Sequence, residues 1–317
     1  MKRFLAMSGG GDRGLVLVGM LQQLYQSEGA ESAAWERIAG ISAGALTGCI
    51  ISQSNKHDIQ EHLDKLENLF FDKKFHVVEN WVWGGTVVNV IDAFFFHESI
   101  FSNKHMKELL KQMWKKENVQ RPFTAGAYNR SLCRYETFDS SETDEETMLK
   151  GILASASVPI VLPTVEIDSY KYQDGGTRHT FPINEIKRWV KTTDGPKHVD
   201  VLVCFPINSP QTLLNMLIPP NSYPLIHRSI RNIGDVMLQQ LQMDLTELGR
   251  LVNVSYEEIV SSNCVEFSHE DLTIRVLSPR TGEYSSFLHM NPETSRRIFA
   301  TGIESVEEYI TKKNNNK

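Results

Sequence analysis

Apolar runs alternate with polar, glycine-containing segments in the first fifty residues, and a helical pattern follows each run. Phe4-Leu5-Ala6-Met7 predicts a short buried strand, and Leu15 to Tyr25 has the apolar spacing of an amphipathic helix. The order recurs, because Trp35 to Ala39 fits a second strand and Ala43 to Ser52 an apolar helix. The pattern therefore predicts two consecutive units of strand, loop and helix.

Later segments extend this alternation. Val199 to Phe205 and Leu272 to Leu277 are apolar runs of the kind found in sheets covered on both faces. Residues Ile226 to Ser262 between them are mostly helical in pattern, and Asn291-Pro292-Glu293 supplies the start of a last helix. This order of elements predicts an α/β layer structure.

Two glycine-containing loops follow the first two predicted strands. Gly9-Gly10-Gly11-Asp12-Arg13-Gly14 brings backbone amides together at a helix N-terminus, which suits a phosphate or a developing oxyanion. Gly40-Ile41-Ser42-Ala43-Gly44 is a G-x-S-x-G pentapeptide, whose flanking glycines Gly40 and Gly44 permit a sharp strand-to-helix turn that exposes the serine hydroxyl. A turn without chemistry is the alternative in a chain with 20 glycines.

The first loop also matches the dinucleotide fingerprint as Gly9-x-Gly11-x-x-Gly14. That fingerprint requires a second strand that ends in an acidic residue about 20 positions later. Glu28-Gly29-Ala30-Glu31-Ser32 is turn-like at this place, and the serine pentapeptide follows it. The sequence therefore disfavours nucleotide binding.

A hairpin later in the chain carries a candidate base. Val165-Glu166-Ile167 and Tyr170-Lys171-Tyr172 predict its strands, with Asp168-Ser169 as the turn. The second strand leads Asp174 into the glycine turn of Gly175 and Gly176, where it can meet a serine on a neighbouring turn. A carboxylate takes a serine proton more readily when burial raises its pKa from the usual value of about 4.

Four motifs in this order resemble those of the patatin-like phospholipase family. GGGDRG resembles its oxyanion motif, GISAG its nucleophile elbow, ASASVPIVLP its proline-containing segment before the acid, and QDGG its D-G-G/A motif. The resemblance covers residues 4–182 and is looser around Ile274 to Pro279 and Arg296 to Gly302. Ser8 departs from the acidic residue that many members carry before the glycines, but the loop acts through backbone amides.

The resemblance implies a three-layer patatin-like fold with a mainly parallel central sheet covered by helices. It implies a Ser42–Asp174 dyad that hydrolyses acyl esters of lipids through an acyl-enzyme, as a phospholipase A does, with no histidine, metal or cofactor. The implied oxyanion loop contains Gly9, Gly10, Gly11, Arg13 and Gly14. Arg13 could instead form a structural salt bridge.

Three alternatives remain open. A general esterase or triacylglycerol lipase could use the same dyad, and a catalytically silent lipid-binding module could keep the fold. A Ser-His-Asp triad would place a histidine after the acid in the chain. The candidates are His179, His198, His227, His269 and His289, none of which lies in a recognisable motif.

Composition fits one enzyme domain over residues 1–310. The chain has 317 residues, 41% of them hydrophobic, and no linker-like segment divides it. The net charge of -6 disfavours nucleic-acid binding, which relies on basic side chains. Four widely spaced cysteines (Cys49, Cys133, Cys204 and Cys264) predict reduced, buried thiols rather than a metal site.

Location and membrane contact follow from segment composition. Only eight residues precede Gly9, so we expect no cleaved signal, and no apolar run is long enough to span a bilayer, which favours a cytoplasmic protein. The aromatic segment Trp81 to Phe101 fits a lid or a peripheral membrane contact, or packing on the core. Ser102 is predicted to cap a helix from Asn103 to Trp114, and residues 311–317 to form a disordered tail.

Overall fold

The computed structural model describes residues 1–71, 102–159, 161–208, 224–280 and 292–315, so the segment Trp81 to Phe101 lies outside the described residues. Within them, nine strands form one mixed sheet. The strands are β1 (Lys2–Met7), β2 (Arg37–Ile41), β3 (Phe123–Asn129), β4 (Arg134–Asp139), β5 (Val165–Ile167), β6 (Tyr170–Asp174), β7 (Lys197–Leu202), β8 (Cys264–His269) and β9 (Leu272–Leu277).

The centre of the sheet is parallel. Its five parallel strands lie in the order β3, β2, β1, β7 and β9. The antiparallel strands flank this centre, with β4 and β6 on β3, β5 on β6 and β8 on β9. The predicted α/β class with a mainly parallel central sheet is confirmed.

Helices cover both faces of this sheet. They are α1 (Gly14–Glu28), α2 (Ala43–Ile51), α3 (Ile59–Phe71), α4 (Lys104–Met113), α5 (Glu145–Ser155), α6 (Ile183–Thr192), α7 (Pro224–Leu251), α8 (Tyr256–Ile259) and α9 (Pro292–Asn315). Side chains alternate between the faces of a strand. Accordingly Phe4 of β1 meets Trp189 of α6, whereas Met7 packs beside Gly48 of α2. The structure therefore has three layers.

The last helix packs directly on the first. A Cβ added at Gly19 of α1 would lie 2.3 Å from the Phe299 carbonyl oxygen, and one at Gly302 would lie 2.2 Å from that of Val16. Only glycine permits this approach of the two backbones. The contact joins both ends of the described chain to one core.

Two sequence predictions were wrong in this part of the chain. Helix α9 continues to Asn315 instead of ending before a disordered tail at 311, because Lys312 bonds Glu308 and Ser262 and Lys313 bonds Tyr309. Cys133 is exposed in the turn between β3 and β4, while the other three thiols are buried as predicted. All four cysteines are free.

A buried charge cluster joins the sheet to the helical layer of α1 and α9. The Asp200 carboxylate of β7 accepts hydrogen bonds from Arg3, from Trp35 and from Arg275, each at 2.7 Å, and lies 2.9 Å from His198 Nε2. Burial alone would raise the pKa of Asp200, but Arg275, His198 and Arg3 together hold it well below its usual value. Arg275 also pairs with Glu28 at 2.9 Å, which connects α1 to this cluster.

Removing Asp200 will destabilise the fold. Asp200→Ala leaves the Arg275 guanidinium buried without its main counter-charge, so we expect the free energy of unfolding to fall by about 3–5 kcal/mol. Because the folded pKa is depressed, this stabilisation is present above about pH 4 and is lost on further acidification. Urea unfolding at pH 7 measures it, with Glu61→Ala of the exposed Glu61–Lys65 pair as the control. A loss no larger than that of the control would contradict this account.

Candidate active site

The strands β2 and β6 pair with the same edge of β3 and meet there end to end. β2 pairs with this edge up to Ile41 opposite Gly126, and β6 takes it over with Asp174 opposite Ala127. β4 occupies the other edge over both stretches. Because β2 runs parallel to β3 and β6 antiparallel, their carboxyl ends meet at this point.

Ser42 follows directly on β2, in a strained turn. Its φ of 53° and ψ of −119° are unusual for a residue with a side chain, and α2 begins at the next residue. A Cβ at Gly40 would lie 2.2 Å from the Gly44 carbonyl oxygen, and one at Gly44 would lie 2.4 Å from that of Met7. The two flanking glycines are therefore required by the close approach of backbones that forms the turn.

A serine that sequence analysis did not single out anchors this turn. The amide of Ser42 donates to Ser155 Oγ at 3.0 Å, and the Ser155 hydroxyl donates to the Gly126 carbonyl at 2.6 Å. Ser155 ends α5 and belongs to the ASASVP segment, which was the only signal for it in the sequence. It ties the serine turn to the strand that both β2 and β6 share.

Asp174 lies beside Ser42 where β6 and β2 meet on β3, and the Ser42 hydroxyl lowers the pKa of its carboxylate. Its Oδ1 accepts the Gly176 amide at 2.7 Å, and its own amide donates to the Ser157 carbonyl at 2.9 Å. Burial raises the pKa of Asp174 to about 7, and the bonds from Ser42 and Gly176 offset only part of this rise. The structure thus brings the predicted serine and aspartate together, and the pKa of the aspartate lies near neutral pH.

The glycine loop lies on the other side of Ser42. A Cβ added at Gly9 would lie 3.2 Å from Ser42 Cβ, so loop and serine are in direct contact. The Gly9 amide, predicted as an oxyanion donor, instead donates to the Thr180 carbonyl at 3.0 Å and is occupied. Within the described residues, the amides of Gly10 and Gly11 have no partner, which leaves them available to an anion at the start of α1.

The remaining predicted loop residues complete this geometry. Arg13 is buried, and Gly14 begins α1. Ser8 stands where an acidic residue was expected from the resemblance, and its hydroxyl accepts the Cys204 amide at 2.9 Å. A Cβ at Gly10 would lie 2.5 Å from Cys204 Cβ, so the segment that follows β7 limits the loop on this side.

The described histidines bond to groups other than Ser42. His179 Nδ1 lies 2.8 Å from Asp244 Oδ1, and its Nε2 lies 3.0 Å from Asn184 Nδ2. His198 belongs to the Asp200 cluster, and His269 is half-exposed at the end of β8. His289 and the side chain of His227 lie outside the described residues.

Among the residues with described positions, no group of three His, Cys, Asp or Glu side chains could hold a metal ion. No helix there combines the length and apolar character that crossing a bilayer requires.

Comparison with known proteins gives matches to lipid hydrolases. The family model described as patatin-like phospholipase matches residues 5–186, more than half of the chain. The protein named probable lipid hydrolase 463L, from invertebrate iridescent virus 6, is 26% identical over 191 residues, which is 57% of this chain. The match spans 61% of the viral protein, less than two thirds of its length.

Two solved structures resemble the chain at low identity. VipD from Legionella pneumophila is 13% identical with a TM-score of 0.45, over 98% of this chain and 67% of VipD. Human GIVD cytosolic phospholipase A2, in complex with methyl gamma-linolenyl fluorophosphonate, is 9% identical with a TM-score of 0.47, over 96% and 57% of the two chains.

The buried carboxylate predicts a measurable stability effect that needs no substrate. Because folding raises the pKa of Asp174, ionisation favours the unfolded state increasingly as the pH rises from about 4 to about 7. Asp174→Asn removes this ionisation, so the variant should gain stability over the wild type across that range, by up to about 4 kcal/mol. Urea unfolding of both proteins at pH 4.5 and pH 8 provides the test, and a difference independent of pH would contradict the raised pKa.

Proposed function

The chain belongs to the patatin-like phospholipase family, and we propose that it hydrolyses acyl esters of lipids with Ser42 as nucleophile and Asp174 as general base. The observation that supports this most is that Ser42 and Asp174 lie at adjoining strand ends on β3, where burial raises the pKa of the Asp174 carboxylate to about 7. A base with a pKa near the working pH is ionised often enough to accept a proton and basic enough to hold it. The proposed reaction needs no histidine.

In the first half-reaction, Ser42 Oγ attacks the ester carbonyl carbon while its proton moves to Asp174. The carbonyl oxygen becomes an oxyanion, which the amides of Gly10 and Gly11 stabilise at the positive end of α1. The tetrahedral intermediate then collapses. The bond to the alcohol oxygen breaks, Asp174 returns the proton to the departing alcohol, and the acyl group remains on Ser42.

In the second half-reaction, water attacks the acyl-enzyme. Asp174 accepts a proton from the water, and the same two amides hold the new oxyanion. Collapse releases the fatty acid and returns the proton from Asp174 to Ser42 Oγ. The strained turn keeps the hydroxyl in place through both steps, because Ser155 and the flanking glycines fix its backbone.

The substrate class is proposed as phospholipid, with cleavage of the phospholipase A type. A general esterase or triacylglycerol lipase would use the same residues and differ only in substrate, so a panel of purified lipids separates them. A catalytically silent lipid-binding module is disfavoured by the presence of both proposed dyad residues. Peripheral membrane contact, a cytoplasmic location and the absence of nucleic-acid partners stay predictions from the sequence.

The nucleophile can be tested by covalent labelling. Ser42→Ala removes only the hydroxyl, so it should abolish both ester hydrolysis and capture of a fluorophosphonate while the protein stays folded. Ser52→Ala, which changes another buried serine just beyond α2, is the matched control and should keep both. Labelling that persists in a folded Ser42→Ala protein would place the nucleophile elsewhere.

Dyad and triad differ in their response to two substitutions. Asp174→Asn keeps the shape of the site and removes the base, so kcat should fall about 10²- to 10⁴-fold. His179→Ala should cost less than about tenfold, because His179 Nε2 faces Asn184 rather than Ser42. Steady-state kinetics on a soluble ester measure both. Equal losses in two well-folded variants would favour a triad instead.

A further inference from the structure

A buried carboxylate on α7 contacts His179 and Thr180, in the segment that follows Asp174. Asp244 is 2% exposed, and its Oδ2 accepts the Thr180 amide at 2.6 Å. Its Oδ1 lies 2.8 Å from His179 Nδ1. One side chain therefore holds both the backbone and the ring of two consecutive residues.

The segment that Asp244 holds reaches the glycine loop through one further bond. The Thr180 carbonyl accepts the Gly9 amide at 3.0 Å, and Gly9 in turn packs against Ser42. This bond fixes Gly9, while the next two amides of the loop have no partner among the described residues and stay open to a ligand. The direction of those amides therefore depends on where the Thr180 peptide lies.

The same segment begins with the proposed base. Only five residues lie between Asp174 and Thr180, and the turn Gly175–Thr177 among them packs against α7. Asp244 thus fixes the far end of a short stretch of chain that carries the base at its start and the acceptor for Gly9 at its end. Base and oxyanion loop are therefore both connected to this contact with α7.

Asp244 and His179 resemble the acid and imidazole of a triad, but the contacts do not fit that role. In a triad the second imidazole nitrogen faces the nucleophile. Here His179 Nε2 lies 3.0 Å from Asn184 Nδ2, and the edge of Tyr135 packs at 4.8 Å between ring centres. The arrangement is a closed structural network in which the imidazole helps to hold the carboxylate.

We propose that Asp244 is a positioning residue for ester hydrolysis, which acts through Thr180 and Gly9 to aim the amides of Gly10 and Gly11 at the oxyanion. This inference rests on the proposed function. Burying a carboxylate without a full counter-charge is a costly way to stabilise a fold. Two well-aligned acceptor oxygens at one point, however, suit the task of holding a peptide and a ring in fixed relation.

The test compares Asp244→Ala with Asp244→Asn on a soluble, monomeric ester. Alanine leaves the Thr180 amide without an acceptor and frees the loop, so kcat should fall about 10- to 100-fold with KM changed less than about twofold. Asparagine keeps an oxygen for Thr180 and offers its NH2 group to His179, so it should restore kcat to within about threefold of wild type. Glu247→Gln, which changes a partly exposed carboxylate on the same helix that pairs with Lys187, is the control and should leave both constants unchanged.

Each kcat is divided by the number of serines that a fluorophosphonate titrates, so a partly unfolded variant is not counted as a slow one. The proposal is overturned if kcat per titrated serine of Asp244→Ala stays within about twofold of wild type. It is also overturned if Asp244→Asn loses as much as the alanine variant. Wild-type protein that neither hydrolyses esters nor reacts with the probe would instead contradict the proposed function.

Discussion

The shared edge of β3 is the constraint on which the candidate site depends. β2 and β6 approach along this edge from opposite directions and stop at adjacent residues, Gly126 and Ala127. A Cβ at Gly175, the residue after Asp174, would lie 3.2 Å from Cγ2 of Ile41, the last residue of β2, so the two strand ends touch. This meeting buries a carboxylate beside a serine, and among the described residues no cation lowers the pKa of that carboxylate, so the chemistry follows from the burial.

Two buried aspartates of the same sheet show how the surroundings decide the protonation state. Asp200 and Asp174 are both buried, yet the pKa of Asp200 is held well below its usual value and that of Asp174 is raised to about 7. Burial acts upward on both. Asp200 has Arg275, His198 and Arg3 around it, whereas in the described part of the chain a hydroxyl and an amide are all that offset the burial of Asp174. The first carboxylate stabilises the fold, and the second is left able to exchange a proton.

Much of this arrangement could be predicted from local sequence. Apolar runs and glycine loops identified β1, β2 and the helices after them, and the Asp168-Ser169 turn set the end of β6 near Asp174. What sequence could not supply were contacts between distant residues. The β3–β4 hairpin, whose strand β3 pairs with both β2 and β6, carries no turn glycine. Ser155 and Asp244 act through partners that are distant in the sequence. The sequence predicts the Gly9 amide as an oxyanion donor, since its actual acceptor, the Thr180 carbonyl, lies 171 positions later and cannot be recognised from local sequence.

The central claim is that Asp174 acts as a base with a pKa near 7, and the pH dependence of Ser42 phosphonylation tests it most directly. The second-order rate constant for reaction with a soluble fluorophosphonate reports the ionisation of the free enzyme. The account predicts a rate that rises with pH through a single ionisation near pH 7 and is constant above about pH 8, and Asp174→Asn should lack this rise. A rate that is already constant above about pH 5 in the wild type would contradict it.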